Sequence, residues 1–181
     1  MIANIIGPSG SGKTKLTMYL FERYPDYYRR VLSYTSRKIR ENELDGIDYY
    51  YVNNSFFVTN HDLILKRECN DGFYAIKKDD LINNDDKVTL TTFPARGVLK
   101  LENLGFIVKS FFLSVNEEEC KRRMEQRGDD DVSIYNRLNK DKLETSLEST
   151  VTVLKNHDVC ILDGHQSIAD IANKVHTKLF V

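Results

Sequence analysis

Five short runs of this chain are rich in apolar and β-branched residues. All but the second are followed by a stretch whose apolar positions recur every three or four residues. The runs are residues 2–6 (IANII), 30–34 (RVLSY), 87–92 (KVTLTT), 106–115 (FIVKSFFLSV) and 158–162 (DVCIL). Several are nearly continuous, as in strands covered on both faces. Helical patterns fill about 12–24, 94–105, 117–128, 132–156 and 167–179. In the last, Ile168, Ile171, Ala172, Val175 and Leu179 share one face. Strand–helix alternation of this kind predicts an α/β fold, a central parallel sheet with right-handed crossovers.

Residues 35–86 interrupt that rhythm. They are polar and turn-rich, with a turn signal at Asp45-Gly46 and a strand-like run over Tyr49–Val52. In that run Tyr49 and Tyr51 share one face and Tyr50 takes the other. The pattern predicts an insertion with a small sheet of its own. The expected organisation is one domain over 1–181, with a core of about 1–34 and 87–181 around an insertion of about 35–86.

Composition narrows the function classes. Twenty-six basic and 27 acidic side chains leave a formal charge of −1, which offers no general attraction to nucleic acid. Cys69, Cys120 and Cys160 have no metal-ligand spacing and read as reduced thiols. No run approaches the ~20 apolar residues of a membrane span, and the first residues lack a signal-peptide pattern. The expectation is a cytoplasmic protein with neither membrane nor nucleic-acid partner, as monomer or homodimer. His61, His157, His165 and His176 are scattered without ligand spacing.

Between the first strand and the first helix lies Gly7-Pro8-Ser9-Gly10-Ser11-Gly12-Lys13-Thr14. It fits G-x-x-x-x-G-K-[ST] at every fixed position, in the strand–turn–helix context the motif requires. Glycines let the backbone N–H groups wrap phosphate oxygens, and the helix start adds its positive end. Lys13 is expected on the β- and γ-phosphates and the Thr14 hydroxyl on Mg²⁺. The stretch predicts a nucleoside triphosphate site. It also ties the N-terminus down, because the first strand must then lie inside the sheet.

Two further clusters are open on chemistry alone. Ser33, Arg37, Arg40 and Tyr49 form either an anion cage or a solvated basic loop. Arg123 and Arg127, four apart on a helix, either reach a phosphoryl group or pair with Glu117–Glu119. Asp129-Asp130-Asp131 reads as a solvated acidic loop rather than a metal cluster.

The segment from Ser33 to Val52 resembles the guanylate kinase family, whose pattern runs S-x-x-[ST]-R-x-x-R-x-x-E-x-x-G-x-D-Y-x-[FY]-V. Ser33, Ser36, Arg37, Arg40, Glu43, Gly46, Asp48, Tyr49, Tyr51 and Val52 stand at those spacings. The likeness, which also takes in GFYAI and EECKRRMEQRG…IYNRL, spans nearly the whole chain. It implies a P-loop NTPase-type three-layer fold with a mobile lid over about 123–140, and phosphoryl transfer from ATP to a nucleoside monophosphate, with GMP as the default acceptor. It assigns Ser33, Arg37, Arg40, Tyr49 and Tyr74 to the acceptor, mainly its phosphate, and Arg123, Arg127 and Arg137 to the lid's catalytic arginines.

The likeness breaks where the family reads guanine with acids. One acid falls at Leu65, leaving Glu68 as the nearest carboxylate if the register changes. The D-x-D positions hold Thr92 and Pro94, and Arg96 follows, expected to face solvent. Ala75 and Ile76 replace a small residue and a hydroxyl. Kinase chemistry is thus expected intact beside an altered base pocket. Two other readings follow: a kinase of a sugar phosphate such as ribose 1,5-bisphosphate, and a non-catalytic guanylate-kinase-like binding module.

Overall fold

The structure is a computed structural model that describes residues 1–41, 43–69, 71–82 and 85–181. Along the chain run β1 (Ile2–Ile6), α1 (Lys13–Arg23), β2 (Tyr28–Arg30), β3 (Tyr34–Thr35), β4 (Tyr50–Tyr51), α2 (Asn54–Thr59), β5 (Leu63–Cys69), β6 (Gly72–Lys77) and α3 (Lys78–Leu81). There follow β7 (Val88–Thr91), α4 (Ala95–Asn103), β8 (Val108–Ser114), α5 (Glu117–Gln126), α6 (Asp131–Glu144), α7 (Leu147–Val153), β9 (Val159–Asp163) and α8 (Ile168–Phe180).

Five strands form a parallel sheet in the order β2-β7-β1-β8-β9, so the first strand is central. Its alternation serves two faces at once. Ala3 and Ile5 point to a core with Leu16 and Leu20 of α1 and Ile171, Ala172 and Val175 of α8. Ile6 points the other way, to Ala95 and Val98 of α4 and Leu154 just after α7. The three layers expected of the fold are present. No helix among the described residues is long and apolar enough to cross a membrane.

The insertion forms a second sheet, β4-β3-β6-β5. Tyr50 stacks on Tyr34 (4.9 Å between centroids) while Tyr49 and Tyr51 lie on the other side, both against Arg37.

Two elements differ from expectation. The run 30–34 is not one strand: Tyr28–Arg30 pairs with β7, and Tyr34–Thr35 belongs to the second sheet. Val31 packs into another cluster at this crossing point, so apolar character persists where the ladder does not. The helical pattern over 132–156 is two helices. Ser146 caps α7 by accepting from Ser149 N (3.1 Å), and Thr145 turns back to donate to Asp141 (2.7 Å). Hydroxyl side chains compete for backbone partners in this way and favour caps over helix interiors.

Candidate active site

The loop after β1 leaves the sheet at its carboxyl edge, where open α/β sheets bind ligands. Its geometry depends on glycine most clearly at Gly10, with φ of 78°. A Cβ there would stand 2.5 Å from the Cys120 carbonyl oxygen, so the first turn of α5 backs the loop. Lys13 Nζ donates to the Gly7 and Pro8 carbonyls (2.8 Å each). Burial pulls the Lys13 pKa down to about 8, against the opposing charge of Asp141. Asp141, on α6, accepts from Ser9 N at 2.6 Å.

These residues suit a triphosphate. Ser9 to Thr14 line a cleft of about 1530 Å³, and the Gly7 and Pro8 carbonyls hold Lys13. The Ser11 hydroxyl is buried with no partner among the described residues, which leaves a polar atom in the loop for a ligand to satisfy. The Thr14 hydroxyl-bearing side chain lines the same cleft, a hard oxygen donor of the kind Mg²⁺ takes.

The structure brings the two arginine clusters onto this cleft. Arg123 donates to Glu119 (2.7 Å), but also to the Ser11 carbonyl (3.0 Å) and the Gly164 carbonyl (3.1 Å), so it belongs to the P-loop as well as to its own helix. Arg127 pairs with Asp129, and Arg137 lies 4.0 Å from the same carboxylate and 3.0 Å from Asp71. The acidic loop is therefore not merely solvated, as the charge run suggested. Asp129 joins Arg127 and Arg137, and Asp130 caps α6 by accepting from Ser133 N (2.9 Å).

Ser33, Arg37, Arg40, Tyr49 and Tyr74 line the cleft from the insertion side. Arg37 is buried and clamped by Glu43 through two bonds of 2.6 Å. Tyr51 Oη (2.7 Å) and Arg40 N (3.0 Å) also donate to Glu43. Burial alone would raise the Glu43 carboxyl; the bonds from Arg37 and Tyr51 outweigh it and hold it down at about 2. Gly72, at φ of 147°, lets β6 start against the Arg37 backbone, where a Cβ would meet Arg37 N at 2.6 Å. Arg40 reaches Asp71 at 3.5 Å, and Tyr74 Oη donates to the same carboxylate (3.1 Å).

Glu68 needs correction. It is exposed on β5 and lies opposite Phe73, not Tyr74. The ladder runs Ile64↔Ile76 and then Arg67↔Tyr74, so one extra residue is inserted on β5. This bulge contains Leu65, the one non-glycine residue with positive φ (54°) among those described. It moves Arg67 onto the Tyr74 side of the sheet and Glu68 off it. Leu65, Lys66 and Arg67 line the cleft instead, and Arg96, expected in solvent, is exposed yet lines it too.

Sequence reasoning missed Asn4, Asp71 and Asp141. Asn4, fully buried in β1, holds the segment after β7 by donating to Phe93 O (2.9 Å) and accepting from Phe93 N (2.7 Å) and Thr91 Oγ1 (2.8 Å). A polar residue in the central apolar strand was the available signal.

Comparisons with known proteins agree with this geometry. The family model described as guanylate kinase matches residues 2–179. A guanylate kinase from Anaplasma phagocytophilum is 30% identical over 168 residues, covering 88% of this chain and 80% of its own. One from Chlamydia abortus is 27% identical, covering 91% and 89%. The crystal structure of guanylate kinase from Anaplasma phagocytophilum superposes with a TM-score of 0.65 at 22% identity, over 99% of this chain and 84% of that one. The chain belongs to the guanylate kinase family and with it to the ATP-dependent nucleoside monophosphate kinases.

Proposed function

We propose that the protein transfers the γ-phosphoryl group of ATP to GMP, giving ADP and GDP. One observation carries the reading: the P-loop lysine and the Arg37–Arg40 cluster open onto the same cleft, with three lid arginines at its rim. The curated relatives named above are guanylate kinases, and they lend no support to a sugar-phosphate kinase or to a binding module.

The residues divide the work by charge. Gly7 to Thr14 hold the triphosphate, with backbone N–H groups on its oxygens and Lys13 on the β- and γ-phosphates. The Thr14 hydroxyl would hold Mg²⁺, which would supply neutralisation of the phosphate charge. Arg37 and Arg40, with Ser33, Tyr49 and Tyr74, hold the acceptor phosphate. Glu43 fixes Arg37 in place, so its fork is preorganised rather than ordered by the substrate. Arg123, Arg127 and Arg137 stabilise charge on the phosphoryl group in flight, an effect worth about 10³–10⁵ where arginines act this way. The acceptor oxygen is already anionic, so no strong general base is needed. Closure of α6 excludes water and aligns donor and acceptor in line.

An ADP-release assay with ATP and Mg²⁺ tests this, with GMP, dGMP, AMP, CMP, UMP and ribose 1,5-bisphosphate offered in parallel. GMP is expected to give the highest kcat/KM. Lys13→Ala is expected to lose at least about 10²-fold in kcat while keeping its circular dichroism and melting transition. Turnover of the sugar bisphosphate alone, or full activity of Lys13→Ala, would overturn the assignment.

A further inference from the structure

The wall of the cleft beyond the phosphate cluster has an unusual chemistry for a guanine site. Guanine's N1–H and 2-amino group are hydrogen-bond donors and need acceptors, and a carboxylate is the strongest acceptor a side chain offers. The wall formed by β5, β6 and the segment after β7 presents Leu65, Arg67, Ala75, Thr92, Pro94 and Arg96. None of these is an acid. Glu68 is turned to the Phe73 side by the bulge, and Asp71 is held by Arg40, Arg137 and Tyr74. Glu43 and Asp48 are likewise engaged, by Arg37 and by Leu44 N (2.9 Å).

Arg67, by contrast, is a charged donor in reach. It lies opposite Tyr74 in the β5–β6 ladder, its guanidinium carbon 5.9 Å from that ring's centroid. No ion pair joins it to a carboxylate among the described residues, whereas Arg37, Arg40, Arg123, Arg127 and Arg137 all have one. Its charge reaches far enough into the cleft to be felt at Lys13. A planar fork of donors on an acceptor-side wall matches two adjacent lone-pair sites. On a purine these are O6 and N7, both acceptors in guanine, whereas adenine offers N7 beside a donating 6-amino group.

We propose that Arg67 determines base specificity by reading the O6/N7 edge of the acceptor, and that the 2-amino group goes unread. Resting on the nucleoside monophosphate kinase reading above, this makes the acceptor class the 6-oxopurine monophosphates as a group: GMP, IMP and XMP. AMP is rejected because its 6-amino group meets a cation. UMP and CMP do not present two adjacent acceptors on that edge, where uracil offers O4 alone and cytosine a donating 4-amino group.

The test is kcat/KM for GMP, IMP, XMP, AMP and UMP with the wild-type chain, Arg67→Met and Arg67→Lys. The wild type is expected to use IMP within about tenfold of GMP and to disfavour AMP by roughly 10- to 100-fold, the range of one bidentate base contact. Arg67→Met is expected to bring GMP and AMP within a fewfold of each other, chiefly through the KM for GMP. Arg67→Lys, which keeps the charge and loses the fork, should fall between. Because Arg67 is exposed, the substitutions leave the core alone, and the wild-type GMP:IMP ratio needs no variant.

A GMP preference over IMP of 100-fold or more overturns the proposal, and would point to Glu144 or Glu148 on the α6–α7 side of the cleft as readers of the 2-amino group. An equal loss for every acceptor in Arg67→Met also overturns it, by making Arg67 a phosphate ligand. If no monophosphate is turned over, the kinase reading fails. Equilibrium binding of the same nucleotides then decides the specificity claim separately.

Discussion

Glu43 accepts four hydrogen bonds from three residues, Arg37, Arg40 and Tyr51, and its side chain is only 17% exposed. A carboxyl held at about 2 instead of 4.5 contributes stability above the unfolded value, on the order of 3 kcal/mol. That contribution is lost as pH falls through the folded value. Denaturant midpoints of the wild type should therefore decline between about pH 4.5 and 2. The slope should be visibly shallower in Glu43→Gln, which has no proton to take up. Identical slopes would place the acid sensitivity elsewhere. Lys13 runs in the opposite direction. Its pKa near 8 in the free protein rises when phosphate oxygens surround it. Below pH 8 the lysine is charged whether or not nucleotide is bound, so binding moves no proton there. Above pH 8 the free form has lost its proton and the bound form keeps it. Binding of ATP is then expected to take up about one proton and to weaken as pH rises. Calorimetry in buffers of different ionisation heat at pH 7 and 9 measures that difference, and an equal proton count at both would contradict it.

At the scale of elements, what the sequence made legible was set by how local each signal is. The P-loop and the central strands rest on residues close together in the chain, so Gly7–Thr14 and β1 could be read before any contact was known. The split of β2 from β3 and the break at Thr145–Ser146 were less legible, because hydrophobicity continues across both. The bulge at Leu65 was not legible at all. Nothing local requires an extra residue there, and one inserted position exchanges Glu68 for Arg67 on the Tyr74 side, which faces the cleft. The positive φ of Leu65 costs about 1–3 kcal/mol, which cross-sheet packing must offset. Among caps, Asp130 starts α6, and its side chain is exposed and outside the core. Asp130→Ala is expected to cost about 1 kcal/mol and lower the melting temperature by about 2–4 °C. Since the loss is confined to the start of α6, amide exchange should accelerate there while β1 and β8 keep their protection. Uniform acceleration would show that α6 unfolds only with the whole domain.

Across the whole molecule, three aspartates sit on groups that the proposed mechanism turns toward phosphate. Asp141 accepts from the P-loop at Ser9 N, Asp129 pairs with Arg127, and Asp71 gathers Arg40, Arg137 and Tyr74. Asp71 is the link between regions, since it joins the insertion to α6 through Arg40 and Arg137. Lys140 adds a second contact between them, to the Glu68 carbonyl at 3.4 Å. On the proposed mechanism, an acceptor phosphate arriving at Arg40 thus competes with a carboxylate already there. The magnitudes limit how strong that competition is. Asp71 is 35% exposed and its arginine partners 26–31%, and ion pairs so open to water are worth about 1 kcal/mol or less. Removing the carboxylate should accordingly tighten acceptor binding by no more than about fivefold. Asp71→Asn keeps the size of the side chain and an acceptor for Tyr74, and is expected to lower the KM for GMP by a factor of about two to five with kcat little changed. The gain should shrink as salt is raised from 50 to 500 mM, because screening weakens the competing pair as well. If Asp71→Asn instead raises KM, the carboxylate acts by holding lid and insertion together in the arrangement that binds the acceptor, and its role is to build the site rather than to compete for it.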